Sequence, residues 1–232
     1  MGATANEARP QVRVRVWDKP TRLFHWSLAV CVVGAVVSAK VGGNAMVWHL
    51  RFGLVVLALL VFRLAWGLVG GHWSRFASFV PTPGTLRRYL RGEPRPGEHL
   101  DVGHSPTGAL SVFALLGLLM AQVSTGLVAD DEIATAGPLI SFVEAATSAL
   151  ATTWHKTWGQ WLLLLLVVLH VAAIIYYRAV RQRDLVMPMV HGDKFLDAPA
   201  PASRDDWRAH LLALILLGLG GAFALWVMAQ GG

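Results

Sequence analysis

Five apolar runs constrain this chain more than any other feature: residues 23–41, 49–70, 107–128, 155–177 and 209–228. A helix rising ~1.5 Å per residue needs roughly 20 residues to cross a hydrocarbon layer, and each run is about that long. Lipid offers no partners for open backbone groups, so each run must satisfy its own hydrogen bonds as an α-helix. The expectation is an all-α integral membrane protein. Of 232 residues, 55% are hydrophobic and 15% charged, a balance unlike that of a soluble domain. Spans take up most of the length, so one membrane domain is expected and no separate soluble one.

Charge gives the orientation. Arg9, Arg13, Arg15, Lys19 and Arg22 precede the first run; Arg75, Arg87, Arg88, Arg91 and Arg95 follow the second. Arg178, Arg181, Arg183, Lys194 and Arg204 follow the fourth. Residues 129–153 hold no Lys or Arg but do hold Asp130, Asp131, Glu132 and Glu144. The bias alternates with each crossing, which predicts a cytoplasmic N-terminus, a C-terminus on the other side and an odd number of spans. The net charge of +6 then belongs to cytoplasmic loops rather than to a nucleic-acid surface. Most of the tryptophans cluster near span ends, as interface anchors do.

Two connections have their own character. Residues 71–106 are punctuated by Pro81, Pro83, Pro94, Pro96 and Pro106, and Ser105-Pro106 reads as a helix start. The Ala-Pro-Ala-Pro-Ala stretch at 198–202 reads as a stiff extended linker before the last run.

Cys31 is the single cysteine, which excludes an intrachain disulfide, a cysteine-held cluster and covalent haem attachment. A redox cofactor would have to be held by histidine or methionine. Four of the nine histidines lie in the first, second and fourth apolar runs, at two depths. His25 is at the cytoplasmic start of run one, and His170 lies deep in run four toward the same side. His49 opens run two and His155 opens run four, both at the opposite side. His155 and His170 are 15 residues apart, about 22 Å along a helix and ~60° apart in direction, so both can face one interior. Two cross-helix pairs follow, His25 with His170 and His49 with His155. Ionisable groups at such depth are functional candidates, and two facing neutral imidazoles suit both axial positions of a haem iron. With both positions filled, electron transfer is the chemistry favoured.

Neighbouring residues are compatible with this. Gly53 and Gly159 each follow a histidine by one turn and could admit a flat macrocycle, although plain helix packing explains them equally well. Arg63 returns to the face of His49 at the cytoplasmic depth, where it could pair with a haem propionate or anchor the interface beside Trp66. His104 could cap a helix, touch a propionate or help bind quinone. His72, His99, His191 and His210 sit in loops or at span ends and carry no assignment.

The run Val16-Trp17-Asp18-Lys19-Pro20-Thr21-Arg22-Leu23-Phe24-His25-Trp26 resembles the opening of the prokaryotic cytochrome b561 family, which includes the cytochrome b subunits of membrane nickel–iron hydrogenases. His49 with Gly53, Phe62-Arg63-Leu64, Trp66-Gly67, Arg75-Phe76, Phe79-Val80, Gly103-His104-Ser105-Pro106-Thr107-Gly108 and Trp154-His155 through His170 extend the likeness over roughly residues 14–190. The resemblance implies a four-helix transmembrane bundle binding two b haems, with His25/His170 and His49/His155 as iron ligands. It also implies electron exchange between membrane quinone and a redox partner: a hydrogenase, a c-type cytochrome or another dehydrogenase. Two departures stand out. The histidines of run four are one residue further apart than the family's usual spacing, which a local helix irregularity would absorb. The fifth run is an addition to the four-helix core. The chain accordingly divides into a cytochrome core (1–190), a cytoplasmic linker (191–206) and an extra C-terminal helix (207–232).

Other functions remain open on the sequence. A stand-alone quinone reductase, such as the superoxide-oxidising members of the family, would need no partner subunit. A histidine-lined proton or metal transporter would hold no haem, and the scarcity of acidic residues in the spans argues against it. A passive anchor would tolerate loss of the histidines.

Overall fold

The structure is a computed structural model that describes residues 11–133 and 135–231. Arg9 lies outside the described residues. The elements run β1 (Val12–Arg15), α1 (Lys19–Val41), α2 (Met46–Val69), α3 (Pro83–Arg91), α4 (Pro106–Gly126), α5 (Ala145–Thr153), α6 (Gln160–Ala179), α7 (Val186–His191), β2 (Asp193–Leu196) and α8 (Trp207–Met228). Five helical segments are long and apolar enough to cross a membrane: α1, α2 with the turn before it, α4, α5 continued through α6, and α8 with the turn after it. All five runs read from the sequence are therefore spans of an all-α membrane protein.

Capping residues set the helix starts. Asp18 accepts from the Thr21 amide with Pro20 in the first turn, so α1 begins four residues earlier than its apolar run. Ser105 caps α4 as expected, accepting from the Gly108 amide at 3.2 Å. Asp206 caps α8. The fourth span starts earliest relative to expectation: the Ala-, Ser- and Thr-rich segment 145–153 is helical and runs straight into it. Thirty-five residues of helix result, more than a bilayer requires, so α5 extends beyond the apolar layer.

α2 is the central strut, flanked by α1, α4 and α8. Phe24, Leu59, Phe62, Trp66, Leu116 and Ala213 meet in the main apolar core. α8 lies along α2 through a stripe of small residues (Ala209, Ala213, Gly220, Ala224), which lets the two backbones approach. α6 is packed least: Leu163 is its one buried residue, and its other side chains face lipid or the spaces between helices.

At the basic end of the bundle the chain departs from the reading of plain loops. β1 and β2 pair antiparallel, with Val12 opposite Leu196 and Arg15 opposite Asp193. Val14, Val16, Trp17, Trp73 and Val102 form a second small core beneath this ribbon. Arg13 and Arg15 pair with Asp193, and Arg15 also with Asp205. The expected linker is thus partly a strand, and its Ala-Pro stretch is pinned: the Trp73 indole donates to the Pro201 carbonyl at 2.7 Å. The Pro-rich connection 71–106 contains α3, a basic amphipathic helix that Thr82 caps and Gly92 ends in the left-handed region. At the acidic end Lys40 and Arg51 lie over the rings of Trp161 and Trp48.

Candidate haem sites

The structure brings the four span histidines together in the expected two pairs. The rings of His25 and His170 have centres 6.4 Å apart at the basic end, and those of His49 and His155 have centres 5.8 Å apart at the acidic end. A metal ion held at about 2 Å by one nitrogen of each ring requires centres about 6 Å apart. Both pairs therefore have the separation of a shared ligand.

Hydrogen bonding supports the same reading. His49 Nδ1 lies 2.9 Å from the Ala35 carbonyl oxygen, and His155 Nδ1 lies 2.8 Å from that of Gln122. A backbone carbonyl that takes one N–H of an imidazole fixes the tautomer and leaves the second nitrogen for a metal. At the other pair, His25 Nδ1 is buried without a partner, an orphan atom that a bound group would satisfy. Beside His49 and His155 is a cavity of about 260 Å³, also bounded by Leu50, Gly53, Gln122 and Met228. A Cβ on Gly53 would meet nothing within 4 Å, so this glycine faces open space. The residues fit haem: paired imidazoles, a fixed tautomer, an orphan nitrogen and a glycine-floored cavity. Among the described residues no group of three or more His, Cys, Asp or Glu side chains is placed to hold a metal ion.

Between α5 and α6 the helix widens into a π turn at Trp154–Gly159. This is the local irregularity anticipated from the extra residue between His155 and His170. It absorbs one residue without ending the helix, as π turns at functional sites do.

Gly159 lies against the amide of Gln122; a Cβ there would stand 2.0 Å from Oε1. It serves close packing and not the open cavity. Arg63 is buried, donates Nη1 to the Ser74 carbonyl at 3.0 Å and stacks on Phe76 at 4.6 Å. His104 is clamped between the rings of Trp17 and Phe79, with centres 4.7 and 4.4 Å away, and its Nδ1 is buried without a partner. Burial, with Arg63 and Lys194 nearby, pushes its pKa down to about 3, so the ring is neutral.

Two residues of this region escaped the sequence reading. Asp18 is fully buried, accepting from Thr21, Ser74 and the Trp66 indole. Gln122 holds His155; as the one carboxamide in its apolar run it was visible in the sequence. A further cavity of about 590 Å³ lies at the basic end, lined by Tyr89, His99, Asp101, Tyr176, Tyr177 and Arg183. The hydroxyls of Tyr89 and Tyr177 are 2.9 Å apart, and burial together with that bond pushes the Tyr89 pKa up to about 12.

Paired imidazoles at two depths of a helical membrane bundle are the arrangement a membrane cytochrome would use. The chain belongs to the prokaryotic cytochrome b561 family, whose sequence pattern matches residues 16–192. It is thus a b-type cytochrome, a class that carries haem b. α8 lies beyond the matched segment. The chain is 27% identical to a probable Ni/Fe-hydrogenase B-type cytochrome subunit of Azotobacter vinelandii, over 82% of this chain and 92% of that protein. It is 25% identical to the probable Ni/Fe-hydrogenase 1 B-type cytochrome subunit of Escherichia coli K12, over 76% and 88%. It is 26% identical to a probable Ni/Fe-hydrogenase B-type cytochrome subunit of Cupriavidus necator, over 76% and 85%. No solved structure matches the chain.

Proposed function

We propose that the chain is a di-haem cytochrome b carrying electrons across the bacterial inner membrane between a nickel–iron hydrogenase and the quinone pool. The observation that carries this reading is the two imidazole pairs, 6.4 and 5.8 Å between centres, at opposite depths of one bundle. Bound haem supplies a reversible one-electron couple at each level. The chain's own part is to hold it: His25 with His170 and His49 with His155 as axial ligands, and Gly53 as the floor of the outer site. Arg63 and His104 supply donors near the inner site for a haem carboxylate. The charge bias puts the His25/His170 end in the cytoplasm and the acidic loops in the periplasm, where the hydrogenase docks. The relatives' names support the hydrogenase as partner.

Quinone is assigned to the tyrosine-lined cavity at the basic end. Tyr89 and Tyr177 offer hydroxyl donors, and Tyr177 lies two helical turns beyond His170 on nearly the same face. Haem content of the purified protein tests the core of the reading. Two non-covalent b haems per chain are expected, falling to one in His155→Ala and to one in His170→Ala. A haem-free wild type, or full retention in both variants, would overturn it. Hydrogen supplied to native membranes should reduce the haem. Reduction by superoxide in the isolated chain, with none by hydrogen in membranes, would point instead to a stand-alone quinone reductase.

A further inference from the structure

Gln122 of α4 holds His155 at two points. Its main-chain oxygen takes the imidazole Nδ1–H at 2.8 Å, and its side-chain Nε2 donates to the His155 carbonyl oxygen at 2.7 Å. His155 lies in the π turn Trp154–Gly159, where the extra residue takes carbonyls out of line with the amides four residues on. The wider turn leaves its carbonyls open to a donor from a neighbouring helix, and Gln122 gives one to that of His155.

The other half of the same amide points at the same turn. Gln122 Oε1 and Trp154 Nε1 are both buried without a partner, an acceptor and a donor. Both border Gly159, 2.0 and 2.8 Å from where a Cβ on that residue would stand. The missing side chain at Gly159 makes room for the amide. One turn after Gln122, Gly126 makes room for the ring: a Cβ there would lie 2.8 Å from His155 Cε1. α4 therefore presents one face, Gln122 and Gly126, shaped to the imidazole and to the turn that carries it.

We propose that Gln122 is a positioning residue that keeps the helix wide at Trp154–Gly159 and thereby aims His155 at His49. The inference rests on the reading of His155 as a haem ligand. Without the amide, the His155 carbonyl loses its bond to α4, and the extra residue can move along the helix. Each residue of shift turns His155 by ~100°, out of line with His49.

Electron paramagnetic resonance of the ferric holoprotein tests this, with haem content measured on the same samples. Gln122→Leu keeps the size of the side chain and removes both amide groups. The low-spin signal absent from His155→Ala should shift or disappear in Gln122→Leu, while the signal of the His25/His170 site stays. Two signals identical to the wild type would overturn the proposal. If Gln122→Leu yields no folded protein, deletion of the exposed Lys156 in the same background decides, because it removes the residue the π turn accommodates. Recovery of both signals supports the role, and continued loss overturns it. Two haems in the wild type with an unaltered Gln122→Leu variant would sink the Gln122 role alone; a wild type without haem would sink the ligand reading with it.

Discussion

The carboxylate of Asp18 and the indole of Trp66 meet in the interior of the basic end, Oδ1 accepting from Nε1 at 3.1 Å, with both residues fully buried. The same carboxylate takes the Thr21 amide at 2.8 Å and the Ser74 hydroxyl at 2.5 Å, and Arg63 stands close enough to interact with its charge. Asp18 thus starts α1, locks α2 to it and offsets a buried guanidinium. Asp18→Ala should cost about 3–5 kcal/mol, because it leaves a cation and several donors buried without their partner. Asp18→Asn keeps the acceptor oxygen and should cost about 1–3 kcal/mol. Thermal unfolding of the detergent-solubilised protein measures both; equal stability of Asp18→Ala and wild type would remove the network from the account of the fold.

Two glycines of α2 separate the effect of the cofactor from the effect of packing. Gly53 faces the cavity beside His49 and His155, with nothing within 4 Å of the position a Cβ would take, whereas a Cβ on Gly67 would stand 2.1 Å from the Phe76 ring. Gly53→Leu should fold with stability near the wild type and lose one of two haems. Gly67→Ala should retain its haem ligands yet lose about 1–3 kcal/mol through overpacking against Phe76. Haem assay and thermal unfolding on both variants check the contrast, and an undiminished haem content in Gly53→Leu would take the cavity out of the haem site.

The spans and histidine levels were legible because bilayer thickness and helical rise convert sequence position directly into depth. His25, His49, His155 and His170 could be paired from residue counts alone. The extra residue between His155 and His170 announced an irregularity, but its place at Trp154–Gly159, against Gln122 of another helix, is encoded by no local pattern. The β1–β2 ribbon was invisible for a related reason. Its strands are four residues each and pair across most of the chain, Arg15 with Asp193, so neither has a period to read. Asp18 stood in a recognisable motif, yet its burial arises only when α1, α2 and the turn at Ser74 converge. Chemistry set by depth could be read, and chemistry set by convergence of distant segments could not.

α8 is more than an appended anchor. A Cβ on Gly220 would stand 2.6 Å from the main-chain oxygen of Ala58 on α2, a neighbour that cannot swing aside. Further along, Met228 and Gly231 border the cavity of His49 and His155. Gly220→Leu should push α8 away from α2, lower stability by about 1–3 kcal/mol and loosen the outer haem first. Haem retention during detergent washing, followed with the same spectra that distinguish the two sites, reads this out; equal loss from both sites would show that α8 does not close the outer cavity.

Lys194 ties β2 to the loop that carries His104, its ammonium donating to the carbonyls of Asp101 at 3.2 Å and Val102 at 2.8 Å. Burial lowers its pKa to about 8, with the Asp101 carboxylate working in the opposite direction. The unfolded chain holds this proton up to an ordinary pKa of about 10.4. Between about pH 8 and about pH 10.4 the unfolded state therefore binds more protons than the folded one, and the unfolding free energy rises with pH across that window. Below about pH 8 both states are protonated and the contribution is flat at its least favourable value. The slope should be on the order of 1 kcal/mol per pH unit, and it should vanish in Lys194→Met, which keeps the stem and removes the titrating group. Paired melting curves of wild type and variant from about pH 7 to about pH 10.5 isolate the effect from the other titrating residues. A constant difference across the window would mean that the ammonium keeps its ordinary pKa in the folded protein.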